Sequence, residues 1–206
     1  METFENINAS IEQFLDVVHS IYGVYLDSIR GFYTVRKEFI EGQQKSLSLF
    51  KDSPELMTIE HLDSIDFMYG KGNPNLPGSV ILHRCTQGEY KQRNDKGGNN
   101  YKFIGNMCIV SIYQYWEDYY RSEIANSLGL KKEALLVTVM GDLRILRRSI
   151  VHHNGIALQD IDKCEVLKWF KYNNNIFIDE LKMEEIVFHI QSQLIALGEQ
   201  YKSTPA

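Results

Sequence analysis

Over most of the chain, apolar residues return every three or four positions, the spacing of a helix that buries one face. Ile7, Ile11, Phe14, Val18, Tyr22, Tyr25, Ile29, Phe32 and Phe39 form one such stripe and predict a helix from residue 5 to about 50. Gly23 and Gly31 lie inside it; each costs about 1 kcal/mol against alanine but leaves the period intact. Ser53-Pro54-Glu55 reads as a helix start, with serine as cap and proline in the first turn, and predicts a shorter helix to about Tyr69. Long helices are expected from Phe103 to Leu128, stopped by Gly129, and from Lys132 to Asn154, stopped by Asn154-Gly155. Leu136, Val139, Leu143, Leu146 and Ile150 carry the stripe of the second. A short helix around Glu165–Phe170, an extended piece at Ile176–Ile178 and a last helix from Lys182 to Tyr201 complete the pattern.

Residues 70–102 break this rhythm. GKGNPNLPG and NDKGGNN are turn-rich, and only VILH between them has the look of a short strand. No repeat and no strand–helix alternation is present. The fold class is therefore all-α: an antiparallel helical bundle of four to five helices with a basic loop insertion. A chain of 206 residues reads as one domain, with N-terminal helices at 1–70, the insertion at 71–102 and a helical core at 103–201.

Composition narrows the function. The apolar fraction of 44% is that of an ordinary globular core. Cys85, Cys108 and Cys164 are far apart and odd in number, which argues against a disulfide framework or a cysteine-rich zinc site. The start METFENINAS has neither the basic nor the apolar region of a signal peptide, and no apolar run approaches the roughly eighteen residues of a membrane span. A cytoplasmic chain with no membrane partner is expected. The net charge of −5 excludes a generally basic, DNA-coating protein but not a local basic site. Such a site is offered by the insertion, with six basic residues against two acids. Its plain reading is a solvated loop; the sharper one is an arm in which Lys91, Arg93 and Lys96 meet RNA.

Phosphate-loop, dinucleotide-binding, zinc-protease and nucleophile-elbow motifs are all missing. The aromatics of residues 113–120 fall at core spacing, so packing accounts for them. What stands out is LRILRRSIVHHNGIA, residues 143–157, which places Arg144, Arg147, Arg148, His152 and His153 within three helical turns and contains no acid to neutralise them. The helix dipole at such an end favours imidazolium. Forked guanidinium groups suit phosphate oxygens, and imidazole can give or take a proton.

The string Arg147-Arg148-Ser149-Ile150-Val151-His152-His153-Asn154-Gly155 resembles the R-(polar)-x-x-x-H signature of the HEPN superfamily. Tyr115-Trp116-Glu117 in the preceding helix, and the segment 166–179 before the last helix, extend the likeness over residues 103–200. The resemblance implies a small α-helical homodimer and a metal-independent endoribonuclease with no cofactor, of the kind found in toxin–antitoxin, abortive-infection and anti-phage defence systems. It makes Arg147 and His152 the catalytic pair. Arg148 takes the intervening polar position, more often Asn, Asp or His in the family; arginine donates there but cannot accept a hydrogen bond. Glu117 falls at an acidic position that could orient a motif arginine, with His153 and Asn154 in support and an antitoxin or defence protein as a possible partner. An alternative is a non-catalytic module that binds nucleotide, RNA or a protein.

Helix geometry adds a constraint. At 100° per residue Arg147 and His152 lie about 140° apart around an ideal helix, and Arg148 and His152 only about 40° apart. The two readings meet if two helix ends face each other across a two-fold axis, where long arginines reach the partner's site. The aromatic helix at 116–120 and the 132–154 helix are the expected contributors to that contact.

Overall fold

A computed structural model describes residues 2–51, 57–73 and 76–202. The chain is mainly helical, as the periodicity requires, and divides into two compact units where the sequence reads as one domain: residues 27–101, and residues 1–26 with 102–206. Helix α1, Glu2–Ser48, contributes to both. Among the described residues no helix is long and apolar enough to cross a membrane.

Within residues 27–101 the expected loop is ordered structure. Helix α2, Ile59–Ser64, starts at Thr58, whose Oγ1 accepts the His61 N–H at 3.2 Å. The start expected at Ser53 lies outside the described residues. The helix also stops short of Tyr69, because Asp66–Lys71 is strand β1, paired antiparallel with β2, Val80–Thr86. The turn between them uses positive φ at Gly72 and Gly78. At Gly70, where the register shifts, a Cβ would stand 3.0 Å from the Val80 carbonyl oxygen. Thr86 and Glu89 then form a reciprocal capping box for α3, Gln87–Arg93. The hairpin holds because Phe67 packs its ring 4.2 Å from Tyr90 and 5.4 Å from Phe39, centroid to centroid.

The other unit carries the long stripes. Helix α4, Asn99–Tyr115, runs through a π turn at Trp116–Tyr120 into α5, Arg121–Ser127. Gly129 follows with φ +67°, as a helix stop requires. Residues 132–134 form only a 3₁₀ turn, and α6 begins at Thr138 and ends at His152. A second 3₁₀ turn spans Gln159–Lys163, and α7 spans Glu180–Lys202. Phe14, Ile109, Ile112, Trp116, Leu143, Leu146, Ile186 and Ile190 are buried together in this unit's core.

The helix expected at Glu165–Phe170 is absent. Asp142, 2% exposed on α6, accepts the N–H groups of Glu165 (3.0 Å), Val166 (2.8 Å) and Leu167 (2.8 Å). These three bonds hold the start of the segment to α6, and residues 165–170 continue without helical hydrogen bonds. The extended piece at 176–178 lies against α4: Asn106 Nδ2 donates to the Ile176 carbonyl at 3.1 Å, and a Cβ at Gly105 would stand 2.1 Å from the Ile178 oxygen.

Candidate active site

Helix α6 turns Val139, Leu143 and Leu146 inward and leaves Gly141, Arg144, Arg148 and His152 exposed. From Arg144 to Arg148 to His152 each step of four residues advances about 6 Å and turns about 40°, so the three make a shallow spiral on one face. The end of the helix is fixed by its own backbone. His153 donates its N–H to the Ser149 carbonyl, Asn154 takes φ +52°, and Gly155, at φ +75°, returns its N–H to the same carbonyl at 3.1 Å. The buried Ser149 hydroxyl accepts the Leu158 N–H at 3.2 Å, tying the next loop to the helix. His152, His153 and Asn154 stand exposed on this rigid corner. No hydrogen bond joins His152 or His153 to an arginine among the described residues.

The two motif arginines point to different partners. Arg147 is half-buried against α4; its Nη2 donates to Gln114 Oε1 at 3.1 Å, and its guanidinium lies 5.8 Å from the centre of the Tyr113 ring. Its Nε is buried without a hydrogen-bond partner. Arg148 Nη2 is 2.5 Å from Asp160 Oδ2, on the 3₁₀ turn after the motif. That carboxylate is 17% exposed, and its Oδ1 is buried without a partner. Residues 143–157 hold no acid, yet one arrives from just beyond them and neutralises Arg148.

Glu117 does not orient a motif arginine. Its carboxylate pairs with Arg121 and Lys132, each at 3.0 Å, and accepts the Tyr113 hydroxyl at 3.4 Å. Burial pushes this carboxyl up, but the hydrogen bonds and charges of Lys132 and Arg121 outweigh it and hold it below the ordinary carboxylate range. Arg121 also donates twice to the Leu135 carbonyl, so the cluster clamps the 128–135 connection. The side chain that does hold Arg147 is Gln114, one turn earlier on α4. An uncharged amide on an exposed helix position carries no signal of this role in the sequence. Trp116 is 2% exposed and belongs to the core; Tyr115 and Tyr119 are the exposed aromatics of that stretch.

The basic residues of the hairpin unit are mostly engaged. Lys91, 15% exposed, sits 2.5 Å from Asp63, whose carboxyl it holds low. Arg93 bonds His83 and lies over the Tyr90 ring at 5.1 Å. Lys96 is exposed and makes no ion pair among the described residues. Of the three basic residues expected to meet RNA there, Lys91 is a structural ion and Arg93 is held within its own unit. Cys108 and Cys164 are buried, which pushes their thiols up to about 11 and about 12, so neither is a ready nucleophile. Among the described residues no group of three or more His, Cys, Asp or Glu side chains is placed to hold a metal ion.

Comparison with known proteins finds no matching family model, no matching curated protein and no matching solved structure. The functional reading rests on the chain's own residues.

Proposed function

We propose that the chain is a HEPN-like endoribonuclease that cuts RNA at the end of α6. The observation that carries this reading is the exposed row Arg144–Arg148–His152 on a helix end fixed by Ser149 and Gly155. His152 takes the proton of the RNA 2′-hydroxyl as that oxygen bonds to phosphorus, and the phosphorus–5′-oxygen bond breaks with the 5′-oxygen taking a proton from solvent water. Arg148 and Arg147 stabilise the charge gathering on the non-bridging oxygens. The products are a 2′,3′-cyclic phosphate and a 5′-hydroxyl. The acceptor that Arg148 itself cannot supply stands beside it as Asp160. The reaction proceeds without metal, in the cytoplasm, in a toxin–antitoxin or anti-phage setting.

A homodimer completes the site. Arg147 is turned toward Gln114, away from the His152 side of its own helix, so a second copy facing the first supplies arginine and histidine from both sides of the phosphate. Tyr115, Tyr119 and Val151, each about half exposed, are the apolar surface at hand for that contact.

Incubation with total RNA in EDTA tests the reading. Wild type yields cyclic-phosphate ends, His152→Ala loses at least 100-fold in rate with unchanged helicity, and His153→Ala loses far less. Strict dependence on magnesium, or equal loss from both histidines, contradicts it. RNA binding without cleavage points instead to the non-catalytic module, a reading favoured by the closure of Arg148 on Asp160.

A further inference from the structure

A cavity of about 360 Å³ opens beside the N-terminal half of α6. Trp116, Leu135, Met140 and Ile145 line it, all of them buried apolar residues. The charged groups around it divide into spent and free. Glu117 and Arg121 are bonded to each other, and the Asp142 carboxylate is filled by three backbone N–H groups. Arg144, Lys163 and Glu165 are exposed at the cavity and make no ion pair among the described residues. The lining as a whole balances three cations against three anions, and Arg144 and Lys163 are the two cations at the mouth that no acid holds, enough for one phosphate and too little for a run of them.

The cavity adjoins the candidate active site through three shared elements. The Tyr113 ring that carries Arg147 also lines the cavity. The Gln159–Lys163 turn delivers Asp160 to Arg148 and Lys163 to the cavity. Arg144 stands four residues of α6 before Arg148, about 6 Å along the axis. A step of that size is of the order of one nucleotide on a single strand.

We infer that the cavity is a base pocket for an RNA nucleotide flanking the scissile bond, with the base on the apolar floor and its phosphate on Arg144 and Lys163. The volume falls in the range of sites built for small organic ligands, and an apolar floor with the two exposed cations Arg144 and Lys163 at its mouth suits a molecule that is flat and uncharged at one end and anionic at the other. The inference rests on the RNA-cleaving reading for its biological ligand, but not for its binding test. Gly141 gives a direct handle: it lines the cavity, and a Cβ built there meets nothing within 4 Å. The Cβ of a larger residue at 141 therefore stands in open space beside the cavity.

Calorimetric titration of the whole protein with the four 5′-mononucleotides, and with inorganic phosphate as control, decides the matter. Wild type binds at least one mononucleotide 10-fold or more tighter than phosphate. Gly141→Met abolishes that excess and leaves phosphate binding in place. Arg144→Gln weakens mononucleotide and phosphate alike by 5-fold or more, and provides the answer should Gly141→Met fail to fold. Mononucleotides held no tighter than phosphate, or held equally well by folded Gly141→Met, overturn the pocket. RNA cleavage by wild type and His152→Ala, followed in parallel, reports on the nuclease reading alone.

Discussion

The hairpin unit and the α6 unit both carry a cluster of basic residues, and the two clusters do opposite things. In the hairpin unit Lys91, Arg84 and Arg36 face Asp63, Asp66 and Asp95 at 2.5, 3.6 and 3.4 Å, and Arg93 bonds His83. Among the described residues Arg144, His152 and His153 at the end of α6 face solvent with no ion pair, Arg147 meets a neutral amide and the Tyr113 ring, and Arg148 meets an acid. A count along the chain gives the hairpin segment more positive charge than α6. Pairing narrows that difference: among the described residues the hairpin segment keeps Lys71, Arg93 and Lys96 without an acid, and α6 keeps Arg144 and Arg147. Charges bound to neighbours act as bolts; charges left over are what a ligand meets.

The sharpest way to break this contrast is an acid that lies in the α6 unit yet is wholly a bolt. Asp142→Ala leaves three buried or half-buried N–H groups without their acceptor, each worth about 1–3 kcal/mol. The expected loss is about 3–4 kcal/mol in urea unfolding, and Asp142→Asn, which keeps one acceptor oxygen, falls between. A loss under 1 kcal/mol for the alanine variant means that the 165–167 backbone is held by something else.

Lys91→Ala comes next. It strips the ion from a half-buried carboxylate and is expected to cost about 1 kcal/mol, discounted because Asp63 keeps some solvent and Gln43. The same variant leaves the salt dependence of RNA binding unchanged, whereas Arg144→Gln lowers the slope by about one unit. A fall in slope for Lys91→Ala erases the contrast.

Asp160→Asn tests the one pair that blurs it. Removing this charge frees Arg148, and the expected result is RNA binding tighter by about 2- to 5-fold, read by filter binding at low salt. Weaker binding makes Asp160 a positioning group for Arg148 rather than its competitor.

The smallest effect is in acid. Glu117 and Asp63 are held below the ordinary carboxylate range in the folded chain, so each contributes stability that is fully present above its unfolded value, about 4, and is lost as pH falls through its folded value. Melting temperatures between pH 6 and 3 fall less steeply for Glu117→Gln than for wild type. Parallel curves remove Glu117 from the acid response.

The sequence makes the long helices legible because burial of one face writes a three-to-four period into it. α1, α4, α6 and α7 all follow that period. The hairpin is legible only in part: VILH, residues 80–83, reads as a strand and lies in β2, whereas β1 is short and exposed and no alternation records it, and the Phe39–Phe67–Tyr90 cluster that packs against it comes together only through the fold. The segment 165–170 misleads because its start is held to α6 by Asp142, more than twenty residues earlier. In the site, the exposed row on α6 follows from helical geometry alone, as does the separation of Arg147 from His152. The partners Gln114 and Asp160 lie outside the motif and meet it only through the fold.

The π turn at Trp116–Tyr120 has a consequence for chain length. A π turn holds one residue more than the α-turn it replaces, so it absorbs that extra residue and keeps the phase of α5. Ile124 and Ala125, both fully buried, stand where they do because of it. Deleting one residue between Tyr115 and Arg121 takes out that extra residue, closes the turn into plain α geometry and keeps Ile124 and Ala125 facing the core, whereas deleting one residue from the α-helical part of α4 swings everything after it by about 100°. The five residues are the slack in this run of helix: a one-residue loss is absorbed there and misplaces the next segment when it falls beside it.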